Sequence, residues 1–252
     1  MDLQKRAQAL IGATYAEQRS DEWLKLRENL LTASDVASAI GENRYETPDS
    51  LLKKKVLKTA WAGNAATAHG TLLEPVARDL YDAKYGRKSH EIGLVQHPVY
   101  PFLGGSADGV TECGRLIEIK CPLTRKIEPK VPPYYLPQIQ LLLEILDLEE
   151  CDFIQYRPAA EEGGEPIFVV VVVKRDREWF AQRLTAMQAF WDRVLKARET
   201  GLCEIIDDPV KFDPHFKKEI VCYVIDEPVQ AQKQNPDVQG LQCEVLCEVH
   251  ST

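Results

Sequence analysis

Five consecutive valines in "IFVVVVV" (167–173) restrict this chain more than any other stretch. The run is far too short to cross a bilayer, and β-branched residues in series favour a strand over a helix. A strand without polar alternation is buried on both faces, in the middle of a sheet with a layer on either side. The flanks agree. "CDFIQYRP" (151–158) reads as a neighbouring strand and "EEGGEP" (161–166) as the hairpin turn between them. "REWFAQRLTAMQAFWDRVLKARETG" (177–201) reads as an amphipathic helix with Phe180, Leu184, Met187 and Trp191 on one stripe.

Upstream, residues 1–19 read as one amphipathic helix. Ser20 opens a second, a break falls at "LLTAS" (30–34), and a short helix runs from Ser34 to Gly41. Pro48 enters a helix in "TPDSLLKKKVLKTA" (47–60), and residues 64–85 form another, closed by Gly86 and irregular at Pro75. The period then changes. "HEIGLVQHPVYPFLGGSADGVTECGRLIEIKCP" (90–122) reads as three strands, and the proline-marked linker "IEPKVPPYY" (127–135) leads into the helix "LPQIQLLLEILDL" (136–148). Beyond Leu202 come strand-like pieces such as "EIVCYVI" (219–225) and a polar, weakly patterned end. No linker cuts the chain in two, so the order of elements predicts a single α/β layer fold.

The formal net charge of −8 argues against a generally basic nucleic-acid coat protein, though a locally basic groove is compatible with it. "KKKVLK" (53–58) and "RKIEPK" (125–130) are the local candidates for such a groove. Seven scattered cysteines fit no disulfide framework and predict a reducing, cytoplasmic setting. The N-terminal residues carry no apolar core of signal-peptide length, and no membrane association is expected.

The chemistry is concentrated in "GGSADGVTECGRLIEIKCP" (104–122). Side chains alternate along "LIEIKC", so Glu118 and Lys120 share one face while Ile117, Ile119 and Cys121 take the other. A turn centred on Cys113 sets Asp108 directly across from Glu118, with Cβ atoms roughly 5 Å apart. Two carboxylates that close repel unless one is protonated or a cation lies between them. A hard cation such as Mg²⁺ takes one or two carboxylates plus water and substrate phosphate. The competing reading is a solvated hairpin with a cross-strand Glu–Lys contact. The glycines before Asp108 weigh against it, since they let a ligand approach the backbone.

Asp108 followed by "IEIK" resembles the PD-(D/E)XK nuclease motif, with Ser-Ala-Asp in place of Pro-Asp. In order, "DEWLKLRENLLTASDVA", "HGTLLEPVARDLYDAKYG", "GGSADGV", "LIEIKCPLTR" and "YYLPQIQ" resemble the lambda-exonuclease-like viral recombination exonucleases, over about residues 20–180. The resemblance implies a restriction-endonuclease-like PD-(D/E)XK core at about 64–180, with a central mixed β-sheet flanked by helices. The exonuclease domain would span 1–201, with 202–252 as an extension packed on it. It implies a 5′→3′ exonuclease that acts on linear double-stranded DNA bearing 5′-phosphates. The implied cofactor is Mg²⁺, two ions for choice, with Mn²⁺ as a substitute.

Asp108, Glu118 and the backbone carbonyl of Ile119 would be metal ligands, and Lys120 would orient the attacking water. Glu74 matches an acidic residue that the family carries on the preceding helix, although "TLLE" also reads as a capping box on Thr71. "YLPQ" picks Gln138 as the polar residue near the metals and leaves Gln140 structural or exposed. Arg27, Ser34 and Ser106 fall where the family holds a 5′-phosphate. Ser34 would also be an N-cap, at a helix end suited to anions. Either Arg125 or Lys126 would complete that pocket. The resemblance further implies a homotrimer around DNA, a single-strand annealing partner and a phage or prophage origin in a bacterial host.

Three rivals are testable. One is an endonuclease on the same fold. Another is an iron–sulfur nuclease, for which only "CEVLCEVH" (Cys243, Cys247, His250) offers ligands, one short of a zinc or cluster set. The last is a nuclease-like binding domain, disfavoured by the intact acid–lysine set.

Overall fold

A computed structural model describes residues 2–58, 63–160, 164–201 and 222–224. The helix expected over 1–19 is confined to α1, Leu3–Ile11, capped by Asp2 and stopped at Gly12. Ser20 caps α2 (Asp21–Glu28) by accepting from the Trp23 amide, as its position predicts. The break that follows is a short strand, β1 (Leu31–Thr32), and next comes α3 (Val36–Ala39), a single turn. Its cap position is held by Asp35, not by Ser34, whose hydroxyl is engaged elsewhere. Helix α4 (Pro48–Leu57) enters through Thr47 and Pro48.

The long helix α5 runs Ala65–Tyr85 with Pro75 inside it and Gly86 in the left-handed conformation at its end. A capping box is present, but it is built by Asn64 and Thr67. Thr71 lies mid-helix, so the capping reading of Thr71 and Glu74 is wrong. The three strands expected after α5 are five short ones: β2 (Ser89–His90), β3 (Leu94–Gln96), β4 (Leu103–Ser106), β5 (Gly109–Thr111) and β6 (Leu116–Lys120).

Chain direction then reverses through a 3-10 turn at Pro133–Tyr135 into α6 (Leu136–Leu146). Strands β7 (Glu150–Arg157) and β8 (Ile167–Lys174) and helix α7 (Arg177–Thr200) follow. Strand β9 (Cys222–Val224), inside "EIVCYVI", pairs antiparallel with β8. Most of residues 202–252, including Cys243, Cys247 and His250, lies outside the described residues. Part of the "EEGGEP" turn does as well.

Two sheets result. The six-stranded one has the order β2-β5-β6-β7-β8-β9 and is mixed, with β6 and β7 parallel and its other pairs antiparallel. The small one has the order β1-β4-β3. The valine run sits on β8, one strand in from the end, and is buried on both faces as its pattern requires. Val169, Val171 and Val173 join the core formed with α6 and α7, including Leu142, Phe180, Met187 and Trp191. Val170 joins a second core under α5, with Ala77, Tyr81, Ile117, Ile119 and Ile154. Each such side chain contributes roughly 1.5–3 kcal/mol over its exposed state, which is why the sheet lies between two helical layers.

Among the described residues no helix is long and apolar enough to cross a membrane. Gly104 and Gly105 serve packing and not ligand approach: a Cβ at Gly104 would meet Leu30 Cδ1 at 2.7 Å, and one at Gly105 would meet Leu142 Cδ2 at 2.6 Å.

Candidate active site

The β5–β6 hairpin aligns Gly109 with Ile117, a register that continues by one step to Asp108 opposite Glu118. The backbone ladder stops there, because the Asp108 side chain takes over. Its Oδ2 accepts from the Ile119 amide at 2.7 Å. Glu118, fully buried, points to the same side as Lys120, and the Lys120 ammonium donates to its Oε1. Gln138, in the first turn of α6, donates to that same oxygen at 2.6 Å. The second glutamine of the pair, Gln140, is structural: it donates to the Lys174 carbonyl and accepts from the Asp176 amide.

Glu74 reaches the cluster from α5 and is held by Arg19 at 2.9 Å and Arg78 at 3.3 Å. Burial first, and then the Asp108 charge, raises its carboxyl above the ordinary range, against the pull of both arginines and Lys120. The same two causes push Glu118 up to about 8, opposed by Lys120. Three carboxylates are therefore crowded together, with Lys120 between two of them and Arg19 and Arg78 on the third. Glu118 Oε2 is buried and has no hydrogen-bond partner among the described residues.

Among those residues no group of three or more His, Cys, Asp or Glu side chains is arranged to hold a metal ion. Each carboxylate has an oxygen engaged by Lys120, Gln138, the Ile119 N–H, Arg19 or Arg78. A buried acceptor without a donor, beside a second carboxylate, nevertheless fits a hard cation that takes one or two carboxylates and draws its other oxygens from water and phosphate. Asp108, Glu118 and the adjoining backbone suit Mg²⁺ by this test.

Beside this cluster, three of the residues expected to hold phosphate come together. Arg27 donates to Ser34 Oγ at 2.9 Å and to Thr32 Oγ1 at 3.3 Å. It lies over the Trp23 ring at 4.3 Å, and the Trp23 indole donates to Ser106 Oγ at 2.8 Å. Ser106 ends β4 in the small sheet while Asp108 precedes β5 in the large one, so the two, although only two residues apart, do not share a strand face. Asp35 balances the arginine from below: it accepts from Thr32 at 2.6 Å and pairs with Lys55 at 2.8 Å. Trp23, Thr32, Asp35 and Lys55 escaped the sequence reading. The i, i+4 spacing of Trp23 and Arg27 on α2 is the one signal that could have paired two of them.

Neither Arg125 nor Lys126 makes a hydrogen bond or ion pair to that group in the described structure. Lys126 is exposed, and Arg125 is half-buried, donating from Nη1 to the Lys126 carbonyl while its Nη2 has no partner. Of the basic run at 53–58, Lys54, Lys55 and Lys58 are paired to Glu46, Asp35 and Glu28.

A mixed sheet with helices on both faces, and an Asp…Glu-x-Lys hairpin inside it, defines the PD-(D/E)XK class of fold. Within that class, the chain belongs to the family of the YqaJ-like viral recombinase domain, whose model matches residues 22–149. It is 28% identical over 210 residues to the Bacillus subtilis (strain 168) protein YqaJ, covering 79% of this chain and 63% of that protein. It is 32% identical over 158 residues to an uncharacterized protein of Acanthamoeba polyphaga mimivirus, covering 55% and 29%. The chain thus spans less than two thirds of the length of these relatives. Among solved structures, the alkaline exonuclease LHK-Exo from Laribacter hongkongensis superposes with a TM-score of 0.61 at 28% identity, over 71% of this chain and 95% of that one. Its complex with dAMP gives 0.59 at 29% identity, over 71% and 95%.

Proposed function

We propose that this chain is a Mg²⁺-dependent nuclease that removes nucleotides 5′→3′ from one strand of linear double-stranded DNA, leaving a 3′ single strand for annealing-type recombination. The observation that carries this reading is the adjacency of two groups. One is the carboxylate–lysine cluster of Asp108, Glu118 and Lys120; the other is the Arg27–Ser34–Ser106 group, tied together by Trp23. The likeness to an alkaline exonuclease supports it.

Asp108, Glu118 and the Ile119 carbonyl would hold Mg²⁺, one or two ions, with Mn²⁺ able to substitute. Bound there, the metal supplies positive charge to an attacked phosphodiester and its leaving oxygen. Lys120, anchored on Glu118, is positioned to orient the attacking water. Gln138 fixes the Glu118 carboxylate, and Glu74, held by Arg19 and Arg78, supports the cluster from α5. Arg27 offers a planar cation to a terminal 5′-phosphate, with the Ser34 and Ser106 hydroxyls as further donors. Each cut creates a new 5′-phosphate, so a pocket for that group sets direction without reading bases.

The same reading places the nuclease in residues 1–201 with 202–252 as an extension, in a ring of three copies around the duplex. A single-strand annealing protein is its partner, in the cytoplasm of a bacterial host carrying a phage or prophage. The Bacillus subtilis relative supports a bacterial host, and the mimivirus relative a viral connection. Lys120→Ala tests the chemistry: hydrolysis is abolished while the thermal midpoint and DNA binding stay close to wild type. Full activity in Lys120→Ala sinks the mechanism.

A further inference from the structure

Three aromatic rings lead from Lys120 to solvent. The Lys120 ammonium lies over Tyr135 at 5.3 Å, the Tyr135 and Tyr134 ring centroids are 4.4 Å apart, and Tyr134 meets Tyr45 edge-on at 5.3 Å. Phe153 backs Tyr135 from the core at 5.7 Å. The outermost ring, Tyr45, is 66% exposed, and the Arg44 guanidinium lies over it at 4.7 Å. Arg125 bears on Tyr134 electrostatically, and its Nη2 is buried without an acceptor among the described residues. Apart from Tyr135 under Lys120, none of these side chains takes part in the carboxylate cluster or the Arg27 group as described.

One exposed and one half-buried tyrosine, each with an arginine beside it, next to the proposed nucleolytic centre in an otherwise acidic chain, have the composition of a single-strand platform. Base–aromatic stacking tolerates any base because each has a π-face, and arginine adds cation–π and phosphate contacts. Tyr135 and Tyr134 are held by the turn into α6, so Tyr45 has a fixed ring to lean on while most of its own surface stays open to solvent.

We infer that Tyr45 and Tyr134, with Arg44 and Arg125, form a stacking subsite for an unpaired base of the DNA strand that enters the Glu118–Lys120 centre, with Arg125 Nη2 taking a backbone phosphate. This deepens the proposed function and rests on it. The subsite adds grip on a frayed end without sequence preference. It also makes the substrate a strand already separated from its complement at the point of cutting.

The test uses duplexes with 2-aminopurine at single positions near the 5′ end, titrated with full-length protein in EDTA so that the strand is not cut. Cleavage of the same duplexes is followed separately with Mg²⁺. The wild type quenches 2-aminopurine at one or two positions. Tyr45→Ala loses that quench and binds about tenfold more weakly, within the range of one lost stack, while Tyr45→Phe keeps both. Thermal midpoints confirm folding, which exposure of Tyr45 favours. Cleavage by wild type without quench at any position, or quench and affinity unchanged in Tyr45→Ala, overturns the subsite and leaves the nuclease standing. Wild type that neither quenches nor cleaves overturns both.

Discussion

Replacing the titrating carboxyl of Glu118 by an amide in protein stripped of divalent ions is expected to stabilise it, although the residue lies at the centre of the candidate site. Burial, reinforced by Asp108 and Glu74, holds this carboxyl at about 8 where 4.5 is ordinary. Each pH unit is worth about 1.4 kcal/mol, so at pH 7 the folded protein is penalised by about 3 kcal/mol relative to a chain in which the group ionises freely. The folded state binds this proton more tightly than the unfolded one. Its contribution is therefore fully present below pH 4.5 and is lost as pH rises through 8. Glutamine keeps a carbonyl acceptor for Lys120 and Gln138 but places an NH2 where Glu118 Oε2 has no partner among the described residues, a buried donor left unpaired that offsets part of the gain. The expected result for Glu118→Gln in EDTA at pH 7 is a net stabilisation of about 1–2 kcal/mol, with a flatter stability profile between pH 5 and 8. Urea unfolding across that range measures both. Adding Mg²⁺ should then raise the midpoint of wild type and leave the variant unchanged. A variant that is less stable than wild type in EDTA, with the same pH slope, refutes the reasoning.

Arg27→Ala should reduce kcat/KM on 5′-phosphorylated ends by roughly ten- to a hundredfold, the loss of one charged hydrogen-bonding group. It should have much less effect on 5′-hydroxyl ends; equal losses on both, in a side-by-side digestion, would argue against phosphate holding. On β7, the strand next to that of Glu118, Asp152 sits opposite Ile117, fully buried between Arg115 and Arg87, and accepts from Tyr81. Asp152→Ala leaves two arginines without their counter-charge and should cost about 3–5 kcal/mol by denaturant titration, and a cost under 1 kcal/mol would mean that Glu150 and solvent suffice. Gly105→Ala drives a methyl group to 2.6 Å from Leu142 Cδ2 and 3.1 Å from Ala33 Cβ. It should destabilise by about 1–3 kcal/mol, and an unchanged midpoint would show that the contact relaxes freely.

Local signals were legible in the sequence and long-range ones were not. Asn64 and Gly86 bracket α5 because a cap and a left-handed glycine are written into the chain at those positions. The valine run announced its burial on two faces. Asp108, Glu118 and Lys120 could be put together because a hairpin turn is short and its register follows from counting.

Misreadings arose where a local pattern has two uses. Ser34 has the look of an N-cap, yet its hydroxyl serves Arg27. "TLLE" has the spacing of a capping box, yet it sits inside a helix that began at Ala65. The strands between Ser89 and Lys120 are two to five residues long, too short to display a period, so five of them in two sheets read as three. The contacts that define the site most closely join residues far apart in the chain. Arg19 meets Glu74, Trp23 meets Ser106, and Gln138 meets Glu118. No periodicity encodes such pairs. The resemblance to a family supplied Glu74, Gln138, Arg27, Ser34 and Ser106 as site residues; without it they are ordinary polar positions.

Strand-resolved digestion of end-labelled linear duplex bears most directly on the central claim. The substrates are 5′-phosphorylated or 5′-hydroxyl ends, with and without Mg²⁺, beside a covalently closed circle. The account predicts Mg²⁺-dependent loss of one strand from each 5′-phosphorylated end, slower loss from 5′-hydroxyl ends, and an intact circle. Nicking of the circle, or loss from 3′ ends, would contradict it.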